Sequence, residues 1–495
     1  MSSFAALIAW FLLLLVLLCW DPAKEPKTSL ALWVPVIWIS IAGSRLPGQW
    51  LGGGVSAIQA QAFEEGNPID RTVFFVLIFL ALAILASRPF NWGGFFVRNT
   101  ALIALVSFAA LSVLWSDFPF ISFKRWFRDF GNYAVVLVVL SDPRPLEAVR
   151  TVLRRLCYLL VPLSVLLIKY FPSLGKQYSD WTGAGYYVGA TTGKNMLGAV
   201  AMVAVIYFFW DTVTRWSERR EGRTKRIIFV NLTFIAMALW LLNLAHSATS
   251  SVCMAIGCLV IVGARSKWTK RHPDLFMVLI PASFFLYLIL AFGFDLNGEL
   301  ARQLGRDPTL TDRTGIWKLV LSMHTNPLLG AGYESFWLGP RLQQIWKVFG
   351  HINESHNGYL EVYLNLGLIG VFLLSWLIVT SYRNICRQFT SSHAWASLAV
   401  TFWTITLFYN MTEAAFKAHL MWDIFLLAAI AVPVPAETSV RALAPLEVAG
   451  RTATPLGVRL RGRQFNVPNQ MYGRSNRELG PRKPRAISHR HKTEV

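Results

Sequence analysis

The sequence predicts an all-α polytopic membrane protein that crosses the bilayer about 12 or 13 times. Of the 495 residues, 54% are hydrophobic and only 15% are charged, whereas soluble globular domains have roughly 25% charged residues. The hydrophobic residues also lie in long uncharged runs that approach the length of a membrane-spanning helix. Together, these observations exclude an ordinary water-soluble enzyme.

About thirteen apolar runs carry this prediction. The first one lacks a preceding basic region and a following small-residue cleavage site, which indicates a retained span and not a cleaved signal peptide. The short run at 130–140 is either re-entrant or merged with its neighbour, and the count is then twelve. The runs lie at 4–20, 29–44, 72–87, 98–115, 130–140, 156–170, 195–210, 227–243, 250–263, 275–293, 359–380, 394–409 and 421–434.

Basic residues outnumber acidic ones by 47 to 27, which gives a formal net charge of +20. This excess need not indicate nucleic-acid binding, because membrane proteins concentrate Lys and Arg in their cytoplasmic loops. Such clusters occupy 215–226, 265–271 and 383–387. Alternation of the spans then places the long segment 294–358 on the outer face.

Two domains are expected: a transmembrane domain at 1–434, which includes the outer loop 294–358, and a basic tail at 435–495. Pro, Gly and polar residues separate the basic residues of the tail, a pattern that is typical of disorder. It is either a solvated tail or an attachment to anionic lipids or a cytoplasmic partner. The five cysteines lie in or beside apolar runs without metal-ligand spacing, so neither disulfide nor metal site is predicted.

The outer loop 294–358 is rich in Trp, Phe and Leu, which indicates a packed segment and not a disordered one. We therefore expect it to contain short helices. Residues 311–322 read as a helix start, with Thr311 or Asp312 as N-cap. Arg313 then falls in the first turn, where backbone N–H groups favour anions. Either an anion is bound between them, or Arg313 pairs with a neighbouring aspartate.

His356 and Asn357 stand immediately before an apolar run, at the expected outer boundary of the membrane. A histidine in this position can take a proton from an attacking hydroxyl near neutral pH. It can equally be a structural hydrogen-bonding group. Glu354 and Glu361 flank His356, and they either orient and tune it or are ordinary polar residues of the interface.

Cations on the outer face are noteworthy because the positive-inside rule predicts few there. Arg125 and Arg128 lie in the segment 123–130, which suits either phosphate binding or an amphipathic helix that anchors on lipid headgroups. Lys194, followed by Asn195, opens a span. It is either a snorkelling end residue or a phosphate contact.

Several motifs resemble the O-antigen ligase/polymerase family. The signature region is carried by Thr-Asp-Arg-Thr-Gly-Ile-Trp at 311–317, Asn-Pro-Leu-Leu-Gly-Ala-Gly-Tyr at 326–333 and Ser-His-Asn-Gly-Tyr-Leu-Glu-Val-Tyr-Leu-Asn-Leu-Gly-Leu-Ile-Gly at 355–370. Upstream segments at 43–47, 113–119, 123–126, 162–170 and 193–198 are similar to the exopolysaccharide-production branch. Where relatives often have Thr-Gly-Arg, this chain has Asp312 before Arg313.

The resemblance implies a metal-independent glycosyltransferase without a cofactor, whose donor is a glycan on undecaprenyl pyrophosphate. It also implies a location in the bacterial inner membrane, with the active site and the loop 294–358 facing the periplasm. The family's residues fall on Arg313, as a pyrophosphate contact, and on His356, as the group that orients or deprotonates the acceptor. Lys194 with Asn195 matches a pattern that implies donor-phosphate binding. The expected partners are the lipid-linked oligosaccharide, membrane lipids, a chain-length regulator and export machinery, and no nucleic acid is expected.

Three functions remain in competition. The upstream likeness favours a polymerase that joins lipid-linked repeat units into an exopolysaccharide. A ligase that transfers finished glycan to lipid A core would use the same donor site. A polysaccharide flippase or transporter would also be polytopic, but it should show related halves and place its polar residues near the bilayer midplane.

Overall fold

The computed structural model describes residues 2–24, 28–52, 66–178, 183–294, 313–389 and 392–432, without the side chains of Lys270 and Phe292. Within these ranges the chain is almost entirely α-helical. Its regular strands there are the two of one small hairpin, β1 (Lys176–Tyr178) and β2 (Gly185–Tyr187), which pair antiparallel. The predicted all-α fold class is therefore confirmed.

The helices follow one another with short connections. In chain order they are α1 (Ser3–Cys19), α2 (Trp33–Ala42), α3 (Pro47–Trp50), α4 (Pro68–Ser87), α5 (Trp92–Arg98), α6 (Thr100–Leu111), α7 (Pro119–Leu140), α8 (Pro145–Tyr170), α9 (Pro172–Gly175), α10 (Lys194–Arg215), α11 (Gly222–Ala245), α12 (Ala248–Arg265), α13 (Lys267–Arg271), α14 (Pro273–Gly293), α15 (Arg313–Ser322), α16 (Gly339–Phe349), α17 (Gly358–Gln388), α18 (His393–Tyr409) and α19 (Leu420–Ala429). Short 3₁₀ turns lie at Leu30–Leu32, Ser112–Trp115 and Trp216–Glu218.

Seven helices in the described ranges are long and apolar enough to cross a membrane, which confirms a polytopic membrane protein. They are Pro68–Ser87, Pro145–Tyr170, Lys194–Glu218, Gly222–Ala245, Ala248–Arg265, Pro273–Ala291 and Gly358–Gln388. An eighth candidate is the pair of helices Trp92–Arg98 and Thr100–Trp115, which bend by 86°. Three more apolar helices are shorter, at Ser3–Cys19, Leu30–Ala42 and Leu420–Ala429.

Each predicted apolar run falls on a helix, but the count of 12 or 13 spans stays a prediction because several of these helices are short. The run at 130–140 is not a separate element. It forms the C-terminal half of α7, a 22-residue helix that begins at Pro119.

The centre of the bundle is formed by α8, α10, α18 and α19. Large aromatic side chains are fully buried there, including Tyr158, Tyr207, Trp210, Phe402 and Phe425. By contrast, α1, α4 and α14 leave many apolar side chains exposed. Exposed apolar faces of this size are what a lipid-facing helix presents, so these three helices lie at the periphery of the bundle.

Helix α17 breaks at Gly367, whose φ is +63°. A break leaves backbone groups without partners, and such groups are costly in a membrane. The segment 327–332 supplies all four partners. The N–H groups of Leu368 and Ile369 donate to the carbonyls of Pro327 and Leu328, and the carbonyls of Leu364 and Asn365 accept from Ala331 and Gly332. The motifs at 326–333 and 355–370 are therefore hydrogen-bonded to one another.

The segment between α14 and α17 has its own small hydrophobic core, as its composition predicts. Its fully buried members include Val320 of α15, Leu342 and Ile345 of α16, and Phe336 between them. Helix α15 spans Arg313–Ser322 in the described residues, and its expected N-cap stays a prediction. Asp307, Thr311 and Asp312 lie outside the described residues, and so does the tail 435–495, for which the domain assignment stays a prediction.

The close approach at the helix break gives the first testable prediction. A Cβ atom on Gly367 would lie 2.2 Å from the carbonyl carbon of Leu328, and the positive φ disfavours any other residue. We expect Gly367→Ala to destabilise the protein by about 2–4 kcal/mol, measured as a lower melting temperature in detergent.

Gly222→Ala provides the matched control, because a Cβ atom at that helix start meets nothing within 4 Å. The control should melt as the wild type does. If Gly367→Ala melted within about 1 °C of this control, the proposed constraint at the break would be wrong.

Candidate functional site

One carboxylate joins two of the predicted site residues. Glu413 lies in the connection between α18 and α19, and its Oε1 is 3.0 Å from Nη2 of Arg313. The same Oε1 accepts a hydrogen bond of 2.9 Å from the side-chain amide of Asn195, in the first turn of α10. Its other oxygen, Oε2, is 3.5 Å from Nδ1 of His356. Arg313, His356 and Asn195 therefore meet at Glu413.

A second carboxylate continues this chain of charges beyond His356. Oε1 of Glu354 lies 3.0 Å from Nδ1 of His356, and its Oε2 lies 3.2 Å from Nζ of Lys417. Nδ1 of His356 is within ion-pair distance of both carboxylates, although neither is aligned for a hydrogen bond. We call the set Arg313, Glu413, His356, Glu354 and Lys417 the charged cluster.

Glu361, in the first turn of α17, fixes the loop that carries His356. Its Oε2 accepts from the backbone N–H of Ser355 at 3.1 Å and from the Ser355 hydroxyl at 2.8 Å. Its Oε1 lies 3.8 Å from Nζ of Lys417. Glu361 therefore contacts both the loop of His356 and Lys417, and its role in orienting His356 stays a prediction.

The motif Ser355 to Gly358 has a separate physical reason at each position. His356 has φ +50°, a left-handed conformation that histidine adopts more readily than most residues. The side chain of Asn357 caps α17 by accepting from the N–H groups of Tyr359 and Leu360. Gly358 donates to the carbonyl of Asn410, and a Cβ atom there would lie 1.9 Å from Oδ1 of Asn410.

The helix that carries Arg313 is attached directly to this loop. The indole N–H of Trp317, in α15, donates to the carbonyl of Ser355 at 2.8 Å. Arg313 and His356, which are 43 positions apart in the sequence, are thus fixed relative to one another by a neighbour of each. The motif that contains Arg313 and Trp317 is therefore bound to the motif that begins at Ser355.

The charges of the cluster alter the pKa values of its members. Burial alone would lower the pKa of His356, but the carboxylates of Glu354 and Glu413 outweigh burial and raise it to about 9. Burial favours the neutral form of Glu354, yet Lys417 and His356 hold its pKa well below the usual range. The pKa of Lys417 is raised despite burial, because Glu361 and Glu354 stabilise the ammonium. At neutral pH His356 is therefore an imidazolium.

The protonated state of His356 bears on the predicted role of this residue. An imidazolium donates hydrogen bonds and stabilises negative charge, but it accepts a proton only after losing one. A role as base therefore requires that His356 pass a proton to a neighbouring carboxylate, and Nδ1 lies beside two of them.

The other predicted cations lie at the edge of the charged cluster. Nη1 of Arg125 donates to the carbonyl of Glu334, and Nε of Arg128 bonds to Asp129 at 2.7 Å. Glu334 interacts electrostatically with both Arg128 and Lys417, and so connects the two groups. The assignment of Arg125 and Arg128 to donor binding stays a prediction.

Lys194 is the first residue of α10, and its side chain is exposed. It directly precedes Asn195, which reaches Glu413. Lys194 is therefore an exposed cation that directly precedes a residue bound to the charged cluster.

The sequence analysis missed three residues, all in the connection 410–419. Glu413 and Lys417 belong to the charged cluster, and His419 packs near it. Burial lowers the pKa of His419 to about 4, and its Nδ1 accepts from the N–H of Met421 at 3.0 Å. The sequence did contain a signal for these residues. One acidic residue, one basic residue and a histidine lie between the last two apolar runs, on the face predicted for 294–358.

Glu354, His356 and Glu413 have ligand atoms within 4.8 Å of one another, so they could supply three ligands to a metal ion. Lys417 and Arg313, however, already lie 3.2 Å and 3.0 Å from the same carboxylates. Their positive charges repel a divalent cation, and the donor set is better matched to ion pairs. The expected absence of a metal stays a prediction.

Comparisons with known proteins give two matches. The family model described as "O-Antigen ligase" matches residues 232–375, a range that includes Arg313, Glu354, His356 and Glu361 but not Asn195, Glu413 or Lys417. The chain is also 26% identical over 306 residues to the exopolysaccharide production protein ExoQ of Rhizobium meliloti (strain 1021). That similarity covers 59% of this chain and 66% of the relative. The chain is therefore similar to the O-antigen ligase model over residues 232–375 and, over a longer range, to this exopolysaccharide production protein.

Proposed function

We propose that the protein polymerises undecaprenyl-pyrophosphate-linked repeat units into an exopolysaccharide, by glycosyl transfer at the periplasmic face of the bacterial inner membrane. The observation that carries the proposal is the charged cluster, in which Arg313 and His356 share the carboxylate of Glu413. It combines an anion-binding guanidinium with a proton-carrying pair, which are the two functions that transfer from a pyrophosphate requires.

The donor is proposed to bind through its pyrophosphate to Arg313 and Lys194. Arginine is suited to phosphate oxygens, and the free N–H groups at the start of α10 add a favourable site for an anion. The exposed side chain of Lys194 stands at this helix start. Arg125 and Arg128 contribute positive potential from the neighbouring α7.

Binding of the pyrophosphate competes with Glu413 for Arg313. When Arg313 turns to the phosphate, Glu413 loses its 3.0 Å ion pair, and its carboxylate becomes available to a proton donor. His356 can then pass its Nδ1 proton to Glu413, and the freed Nδ1 can accept the proton of the acceptor hydroxyl while Nε2 keeps its own proton. In this scheme donor binding itself switches on the base.

The transfer step is balanced without a further reactant. The acceptor oxygen forms a bond to C1 of the donor sugar, and the bond from C1 to the phosphate oxygen breaks. Undecaprenyl pyrophosphate leaves with the bonding electron pair, and the hydroxyl proton ends on the His356–Glu413 pair. Pyrophosphate is a good leaving group, so the protein's own cations supply the charge stabilisation.

A ligase that transfers the glycan to lipid A core is the second candidate, favoured by the match of residues 232–375 to the O-antigen ligase model. It would use the same donor chemistry and a different acceptor. A flippase or transporter is the third candidate, but the charged cluster lies where α10, α15, α17 and α19 begin, and not at mid-helix. A chain-length regulator and export machinery are the partners that polymerisation would require.

The first test uses purified full-length protein in liposomes with lipid-linked repeat units and no added metal. We expect a ladder of lengthening glycans on product gels. Arg313→Ala and His356→Ala should each lower the transfer rate at least about 100-fold, with membrane abundance unchanged.

Lys318→Ala is the matched control, since Lys318 is an exposed cation on the same helix as Arg313, and it should keep the wild-type rate within about twofold. Full activity of the Arg313 or His356 variant would contradict the assigned roles. Single transfer that requires lipid A core would favour the ligase, and no bond formation with either acceptor would favour the transporter.

A further prediction concerns how the stability of the protein depends on pH. The pKa of His356 is raised from 6.5 to about 9, so its protonation favours the folded state. This contribution is complete below pH 6.5 and is lost as the pH rises through 9. We expect the melting temperature of the wild type, relative to His356→Gln, to fall by several degrees between pH 6.5 and pH 10. Parallel melting curves of the two proteins over this range would contradict the ion-paired state of His356.

A further inference from the structure

A second cluster of charges lies at the other end of the bundle. It surrounds a cavity between α1, α8, α10 and the described residues 21–24 and 28 of the connection after α1. Asn195 of the charged cluster is near the first residue of α10, whereas the cavity is lined by Arg215, the last residue of this 22-residue helix. At a rise of 1.5 Å per residue, roughly 30 Å separate the two ends. The cavity is therefore distinct from the candidate active site.

Cations dominate the lining of this cavity. Five are present, Lys24, Arg150, Arg154, Arg155 and Arg215, and one carboxylate, Asp21. A second carboxylate, Asp211, lies behind them and is fully buried. The lining and its immediate support thus combine five positive and two negative groups, which leaves an excess of three positive charges.

Asp211 accounts for only part of the positive charge. It receives Nη2 of Arg154 at 2.6 Å and Nε of Arg215 at 3.0 Å, and Asn231 donates to it at 3.0 Å. Arg150 is held more loosely, with its Nε 3.8 Å from Asp211. Arg154 and Asp211 therefore form the structural base of the cavity.

Two guanidinium groups each contain a buried nitrogen that makes no hydrogen bond to the described residues. Nη1 of Arg155 and Nε of Arg150 are buried, and neither has a hydrogen-bond partner among the described residues. Arg155 is also held in place by Trp33, whose ring centre lies 4.4 Å from the guanidinium carbon. Buried donors without partners are costly, and cations that serve only membrane orientation remain solvated. These donors therefore indicate an anionic ligand.

We propose that this cavity binds a phosphate group. Fixed guanidinium groups match phosphate oxygens, and the excess positive charge compensates a ligand of negative charge. The phosphate of an anionic membrane lipid and free phosphate are the two sources of this chemistry. The lipid is the more natural ligand, because Leu17 and Leu18 of α1 form part of the wall, and α1 exposes a broad apolar face that acyl chains can cover.

The test measures thermal unfolding of the detergent-purified full chain by tryptophan fluorescence. Three ligands are titrated separately: phosphatidylglycerol, zwitterionic phosphatidylcholine, and inorganic phosphate. We expect phosphatidylglycerol to raise the melting temperature in a saturable manner, and to do so at a concentration at least tenfold lower than phosphatidylcholine.

Arg155→Gln should weaken the response to phosphatidylglycerol at least tenfold. Arg220→Gln is the matched control, because Arg220 is an exposed cation of the adjacent connector and does not line the cavity, and it should respond as the wild type does. If Arg155→Gln does not fold, competition between inorganic phosphate and phosphatidylglycerol on the wild type supplies the same information.

A saturable effect of inorganic phosphate alone, lost in Arg155→Gln, would support the phosphate site and assign it to a free ligand. Equal responses of Arg155→Gln and Arg220→Gln to every ligand would overturn the proposal. So would the absence of any saturable shift in the wild type. None of these outcomes depends on whether the protein transfers glycans.

Discussion

The carboxylate of Glu413 is the interaction on which the candidate site depends. A buried carboxylate is strongly unfavourable unless cations and hydrogen-bond donors surround it. Here Arg313, Asn195 and His356 do so, and each comes from a different part of the chain. Because one small group requires all three, the start of α10, the start of α15 and the loop before α17 are held together. The same carboxylate would be released when an anion takes Arg313.

The site is positioned partly by an interrupted helix, α17, whose exposed backbone groups bind another segment of the chain. The break of α17 at Gly367 would expose four backbone groups, and the segment 327–332 binds all of them. This fixes the segment that leads from α15 to α16 against the membrane bundle. Trp317 then ties α15 to Ser355 at 2.8 Å. Polar chemistry is thus placed at helix ends, where irregular backbone has partners, and not in the lipid-facing part of the bundle.

Much of this arrangement could be predicted from the sequence. The apolar runs identify the all-α membrane fold because a transmembrane helix must be continuously hydrophobic. Arg313 was selected as a cation at a helix start in the outer loop. His356, its neighbour Glu354, and Asn195 were selected near the outer ends of spans. All four lie at the charged cluster or bind it directly. Glu413 and Lys417 were missed, because pairing between connections that are distant in the sequence has no periodicity to reveal it.

Other features depend on three-dimensional contacts that a pattern does not contain. Asn357 was grouped with the site, but its side chain caps α17. Arg125 and Arg128 read as free outer cations, whereas they bond to the carbonyl of Glu334 and to Asp129. The raised pKa of His356 arises from two carboxylates, one of them 57 positions away in the sequence. Motif analysis located the histidine but not its charge.

The central claim is that Arg313 and His356 act as one unit through Glu413, and a double-mutant cycle on the rate of glycan transfer tests it most directly. The conservative variants Arg313→Lys and His356→Gln, and the protein that combines them, are compared under single-turnover conditions. Coupled residues should give a double variant whose rate is close to that of the slower single variant. A double variant whose loss equals the product of the two single losses would contradict the account, because the two residues would then act independently.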